Sequence, residues 1–545
     1  MALMLSVLAA LSLGKVGPVV PQAIAPSRPE VEPIAAAIAA STASTPLLTP
    51  VSAPVTSVRL AAAVPKGAGL KPVGRKTARK SVTTAQRQAT PTKNTANPKV
   101  RRRVLRFDRE IRPLAGSLDK VPVFNSNSPE VVRTPGILLS TFPPKGMRSP
   151  RAHLNYAFQG RFDIFTHHIA RAAATEEGRT LFQGLMVYNP GPGEARIQTL
   201  AAASYVSRFE APFRDLPPYI EDPLGTIFSG AGSRVAADML RDRRRGIWDT
   251  DIRLGPRQAK MVMNAPIPVG KITPSSNTRS TLIHMQSDRP IYLASLAMFS
   301  PKAADGRETI PSLRQWQIQL VNGFLAGPRD KPPSPLNTTG PRFFYGRIAG
   351  VSQGSRWEAT LTDNGSSSLQ IPGSGRSYSY PISTIPRGTH GTQQVHSAPM
   401  LARYSDTALL GNGNYGVLYR LTFPLVNPSQ QNQPVSILFE TPLKSDKGGS
   451  VEFLDPPEDR VFFRGPIRLR YQDDRGQAQD RFIHVVQHRG EQGKPLATLN
   501  MRPGERRSVT VDLVYPPDAT PPQVLTVQTG SQNQPRPFVP SLLRR

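Results

Sequence analysis

The 545-residue chain contains no cysteine, which removes disulfides, thiolate metal sites, iron–sulfur clusters and cysteine nucleophiles together. It lacks any run of 18 apolar residues, so no helical membrane span is expected. Acids are scarce: 38 Asp and Glu stand against 68 Lys and Arg, a formal charge of +30. Uninterrupted helix-forming stretches are scarce too. The chain carries 57 prolines and 42 glycines, and a proline inside a helix costs about 3 kcal/mol, so an architecture of long helices is excluded. What remains is a basic protein of short strands, turns and polar tails, long enough for several domains of roughly 150 residues.

The start of the chain suggests an address. Ala2 to Gly14 reads ALMLSVLAALSLG, apolar or small throughout and uncharged. It is too short to span a bilayer, but it suits the apolar region of a secretory signal peptide, about 7–15 residues. Residues 1–25 are read as that signal, with cleavage sites at Ala23-Ile24-Ala25 and onward to residue 40. The expected destination is the periplasm or cell envelope.

Residues 41–110 change to Ala, Thr, Ser, Pro, Lys and Arg. Thirteen cations lie between Lys66 and Arg106 with no Asp or Glu among them. With no aromatic and only scattered aliphatics before Arg106, such a stretch buries too little surface to offset backbone entropy, so a disordered basic linker is expected. Its candidate binding residues are Lys76, Arg79, Lys80, Arg101, Arg102, Arg103 and Arg106, acting as an electrostatic tether to an anionic envelope polymer or lipid surface. No aromatic nucleic-acid motif accompanies them.

Beyond residue 110 short apolar runs alternate with turn clusters. Two units stand out: TLFQGLMVY, Asn189-Pro190-Gly191-Pro192-Gly193, then an alternating run, and GVLYRLTFPLV, Asn427-Pro428, then VSILF. Both read as hairpins, because Asn, Pro and Gly each favour turns, and their likeness raises the question of a duplication. Further hairpins are expected at Ser287 to Pro290 and Asp473 to Gly476. One short helix is expected over Ser233 to Arg245, with Ser233 as its N-cap. The expected class is all-β: two β-sandwich-like domains, 111–335 and 336–530, behind the arm, with a frayed tail at 531–545.

Motifs that carry chemistry are few. Gly411 to Gly416 matches GxGxxG, but a strand-like run follows where a dinucleotide site needs a helix. His484 and His488 have helical ligand spacing, yet in a strand they lie about 13 Å apart. His167-His168 is expected to be one buried, hydrogen-bonded histidine beside an exposed one. Asp249 and Asp251 beside Trp248 are expected as a solvated turn, with a sugar or calcium site as the alternative. No P-loop, nucleophile elbow or paired acid/base motif is present, and no catalytic residue, metal or cofactor is expected.

VFNSNSPEVV (Val123 to Val132), GILLSTFPP (Gly136 to Pro144), FQGRFDIFTHHIA (Phe158 to Ala170) and PGERRSVTVDLVYPPDATPPQVLTV (Pro503 to Val527) resemble a family of uncharacterised exported proteins of cyanobacteria. SGAGSRVAADMLR (Ser229 to Arg241) and VFFRGPIRLRYQDD (Val461 to Asp474) extend the resemblance, which covers roughly residues 112–530 and leaves the arm outside. It implies an envelope location and brings no activity or site. The expected function is a noncatalytic exported structural or interaction protein. The alternative is a carbohydrate-binding or carbohydrate-active sandwich, for which an exposed aromatic platform near Trp248, Trp316 or Trp357 would speak.

Overall fold

The computed structural model describes residues 101–171, 179–244, 248–269, 276–531 and 536–537. The signal segment, the arm up to residue 100 and most of the tail lie outside the described residues. The fold is nearly all β, with two α-helices among the described residues, α1 (Ala231–Met239) and α2 (Leu313–Asn322).

The first half supplies β1 (Arg103–Asp108), β2 (Pro122–Ser126), β3 (Gly136–Ser140), β4 (Phe158–Arg171), β5 (Leu181–Tyr188), β6 (Ala195–Val206), β7 (Asp251–Leu254), β8 (Ala259–Ile267) and β9 (Ser276–Phe299). One sheet runs β7–β6–β9–β4–β2. The facing sheet joins β8, β5, the second half of β9, and β3. The long strand β9 belongs to both sheets. The hairpin expected at Ser287 to Pro290 is instead a register shift between Ser287 and Ile291, where β9 leaves β6 and joins β5. Bulges are how a strand turns a corner between packed sheets, and Pro290 has no N–H to lose from a ladder.

The second half supplies β10 (Ala349–Gln353), β11 (Arg356–Thr360), β12 (Ser377–Ile382), β13 (Ala398–Arg403), β14 (Leu418–Val426), β15 (Gln433–Glu440), β16 (Ser450–Asp455), β17 (Val461–Gln472), β18 (Ala478–His488), β19 (Pro495–Met501), β20 (Arg506–Val514) and β21 (Gln523–Thr529). One sheet runs β19–β15–β21–β12, and the other β11–β14–β20–β17–β18. β14 shows why these segments are strands: Tyr419, Leu421, Phe423 and Leu425 alternate inward and are fully buried. The hairpin at Asp473 to Gly476 forms as expected, with Gln472 opposite Ala478.

The two Asn-Pro units are not hairpins. β5 pairs with β8 and β9 while β6 pairs with β7 and β9, and β14 and β15 lie in different sheets, so each Asn-Pro turn is an arch from one sheet to the other. The arches are equivalent. The order β7–β6–β9–β4 of the first sandwich repeats as β19–β15–β21–β12 in the second, and the pair β8–β5 repeats as β20–β14. The two sandwiches therefore share the arrangement of these six strands, while β17 and β18 have no counterpart in the first.

They do not divide cleanly at residues 335/336. β10 pairs with β2, and β13 with β10, so two strands from beyond residue 336 extend the first sandwich's sheet. In return, Tyr219–Glu221 pairs with β18 of the second. A shared cluster containing Val123, Phe165, Leu282, α1 residues Val235 and Met239, and Val514 fills the seam.

The arm is shorter than expected. Residues 103–108 form β1, which pairs along its whole length with β16, and Glu110–Ile111 pairs with β12. The α1 cap also differs: Gly230 is the N-cap, and Ser233 lies one turn inside with its hydroxyl bonded back to Ser229 O at 2.9 Å. Gly230 sits at φ +88°, and a Cβ there would meet Phe213 at 2.4 Å, so a glycine is needed where a serine cap was expected.

Candidate functional site

The expected arm residues divide in two. Lys76, Arg79 and Lys80 lie outside the described residues. Arg101, Arg102, Arg103 and Arg106 lie at the folded root, where acids of the second sandwich meet three of them. Arg103 pairs with Asp455, Arg102 approaches Asp459 at 3.7 Å and donates to Pro457 O at 3.2 Å, and Arg106 stands opposite Glu452 in the ladder. Such exposed pairs contribute about 0–1 kcal/mol each. Arg109, which the sequence did not single out, is the stronger fastening. Its guanidinium is buried against both oxygens of Glu440 and donates to Thr526 Oγ1 at 3.1 Å. Removing one member of such a pair strands a buried charge, at about 3–5 kcal/mol.

The other singled-out residues take structural places. His168 Nε2 lies 2.9 Å from Ser126 Oγ and its Nδ1 2.9 Å from Pro129 O, while His167 Nδ1 lies 2.8 Å from Ser280 Oγ. Both are buried, which corrects the expectation of an exposed partner. His484 is enclosed with neither ring nitrogen bonded, and His488 faces Glu491. Asp249 pairs with Lys260 at 2.7 Å and Asp251 with Arg196 at 2.8 Å. Trp248, Trp316 and Trp357 are all buried, so none presents a platform. Among the described residues no group of three His, Cys, Asp or Glu is placed to hold a metal, and no helix is long and apolar enough to cross a membrane.

A cleft that the sequence did not disclose opens at the seam between the sandwiches, with a volume of about 390 Å³. Asn127 and Glu130 after β2, and Tyr345 and Arg347 before β10, form the wall from one side. Lys444 after β15, Phe462 on β17 and Arg489 after β18 face them. Tyr345 is pinned by donating to Pro386 O at 2.6 Å and receives the Lys444 ammonium at 2.9 Å. Arg347 pairs with Glu130, and Arg489 with Glu458. Tyr415 also lines the cleft; burial pushes its phenol up to about 12, so it remains a neutral donor to Ala519 O at 3.0 Å. The local signal was the run Arg342-Phe343-Phe344-Tyr345-Gly346-Arg347, three consecutive aromatics between two arginines in an irregular segment.

No curated protein matches the chain. The crystal structure of coconut allergen cocosin aligns at 8% identity over 69% of this chain and 84% of that one, with a TM-score of 0.10, too low to bear on the fold. Residues 109–529 match the family described as protein of unknown function (DUF3370), and to that family this chain belongs.

Proposed function

We propose that this is a noncatalytic protein of the cell envelope, exported by its apolar start and tethered through its basic arm to anionic envelope polymer or lipid. The observation that carries the reading is the arm's attachment. An acid-free cationic stretch leads directly into β1, which is zipped to β16 and followed by the buried Arg109–Glu440 pair. Whatever the arm holds is thus coupled to the strand-exchanged two-sandwich body. The body keeps 51 cations against 34 acids beyond residue 110, so its own charge adds to the attraction. The carbohydrate alternative loses its expected support at the buried tryptophans and draws instead on the aromatic walls of the seam cleft.

Sedimentation with anionic wall polymer and with anionic vesicles tests this across a salt series, comparing the full chain with one that starts at Arg101. Retention of the full chain should fall steeply with salt, because the Debye length shrinks from about 10 Å at 0.1 M to about 3 Å at 1 M. Equal binding and equal salt slopes for the two chains would reduce the arm to a spacer. Recovery of the unprocessed chain from the cytoplasm alone would refute export.

A further inference from the structure

We infer that the seam cleft binds one carboxylate-bearing sugar unit, a uronate, independently of the arm. Its volume of about 390 Å³ falls within the roughly 300–1,000 Å³ of small-ligand sites, which favour junctions between domains. Three features of its lining point to this chemistry. The first is an unanswered acceptor: Asn127 is 6% exposed, and its Oδ1 accepts no hydrogen bond within the protein. A buried amide oxygen left without a donor costs free energy, and because Asn127 stands in the lining, a rotation of its side chain that turned this oxygen to the cleft would let a ligand hydroxyl supply the donor.

The second is an ammonium held in place without a carboxylate. Arg347 and Arg489 have Glu130 and Glu458, whereas Lys444 contacts the phenol of Tyr345 at 2.9 Å and stands 5.1 Å from that ring's centre. Its stem lies across Gly388, where a Cβ would approach Lys444 Cδ to 2.7 Å, so the absent side chain leaves the lysine its path. One cation without an acidic partner in a lining whose other cations are paired matches a ligand with a single negative charge. The third is the wall itself. Tyr345 and Phe462 bring aromatic surface to the lining, which suits the C–H surface of a pyranose ring. A phosphate-rich or polyanionic ligand fits less well, because Glu130 lines the same space.

This inference deepens the envelope reading by naming a ligand, but its test does not depend on the tether. Isothermal titration of the full chain with monomeric glucuronate, with glucose as the neutral control, measures the cleft alone. Saturable glucuronate binding is expected, with glucose at least tenfold weaker. Lys444→Gln, at an exposed position, should weaken glucuronate about tenfold, and Tyr345→Phe, which releases the ammonium, should weaken it severalfold. Replacing Lys76, Arg79 and Lys80 by Gln in the full chain should leave glucuronate binding unchanged. No saturable binding, equal affinity for glucose, or an unaltered Lys444→Gln titration would each overturn the assignment. Polymer retention that persists in the absence of glucuronate binding overturns the cleft and leaves the tether standing; glucuronate binding without polymer retention does the reverse.

Discussion

At the scale of single residues, the histidines link sequence to acid stability. His153, His168, His390 and His484 are pushed down to about 4 by burial, and His167 and His396 to about 3, with the neighbouring His168 adding to the shift at His167. These are bases whose folded values lie below the unfolded value of about 6.5. Above pH 6.5 both states are neutral there and the stability is complete. As pH falls from 6.5 towards 4 the unfolded chain takes up protons that the folded chain refuses, and stability is lost. Asp518 works in the opposite direction: burial raises it to about 6, so its contribution declines as pH rises between about 4 and 6. His484, with neither ring nitrogen bonded, isolates the effect. His484→Phe should leave the melting temperature at pH 7 unchanged or higher, because no hydrogen bond is lost, and should flatten its decline between pH 6.5 and 4. Thermal melts of both proteins across that range check this; parallel slopes would contradict it.

At the scale of elements, the two Asn-Pro arches use the same bonds. Asn189 Nδ2 donates to Gly193 O at 2.7 Å and Leu254 O at 3.0 Å; Asn427 Nδ2 donates to Gln431 O at 2.8 Å and Met501 O at 2.9 Å. The backbone N–H of each donates to a carbonyl in the adjoining β-turn, Gln258 O before β8 or Glu505 O before β20, both at 3.0 Å. Each side chain thus clamps its own arch and the adjoining β-turn together. Asn189→Ala and Asn427→Ala should each cost about 1–3 kcal/mol, since buried carbonyls lose their donor. The Asp variants should cost more, because a carboxylate would then face carbonyl oxygens. Denaturant titration of the single and double variants checks this, with near-additive losses expected for sites in separate sandwiches. A loss below about 0.5 kcal/mol at either site would show that the clamp is dispensable. Asn, Pro and Gly made both turns legible in the sequence. They did not distinguish arch from hairpin, because a turn residue fixes local φ and ψ and not which strand the returning segment meets.

At the scale of the whole molecule, strand exchange couples the two sandwiches. A fragment of residues 111–335 would lose β10 and β13, leaving β2 as an open edge and the cluster around Phe124 without Ala349, Val351 and Tyr404. A fragment of residues 336–530 would lose β1, Arg109 and the strand Tyr219–Glu221. Neither should unfold cooperatively by itself, whereas the full chain should. Circular dichroism melts and limited proteolysis of the two fragments check this, and two independently cooperative fragments would contradict it.

The sequence by itself determined the all-β class, the strand-rich body beyond residue 110, several strand positions and the concentration of unbalanced positive charge before it. Each of these rests on local rules: alternation at period two, turn chemistry, the helix-breaking of proline, and the absence of acids. The tertiary structure decided where the arm begins to fold, because β1 finds its strand partners in β16 and in Arg536–Pro537, both far away in the chain, and Arg109 finds its carboxylate in Glu440 and a hydroxyl acceptor in Thr526. It also decided the shared six-strand arrangement and the seam cleft, whose walls come from residues between 127 and 521. Long-range pairing assembles such sites from segments that look ordinary in isolation. An isolated Asn127 or Lys444 carries no local signal of the cleft that makes each of them chemically distinct.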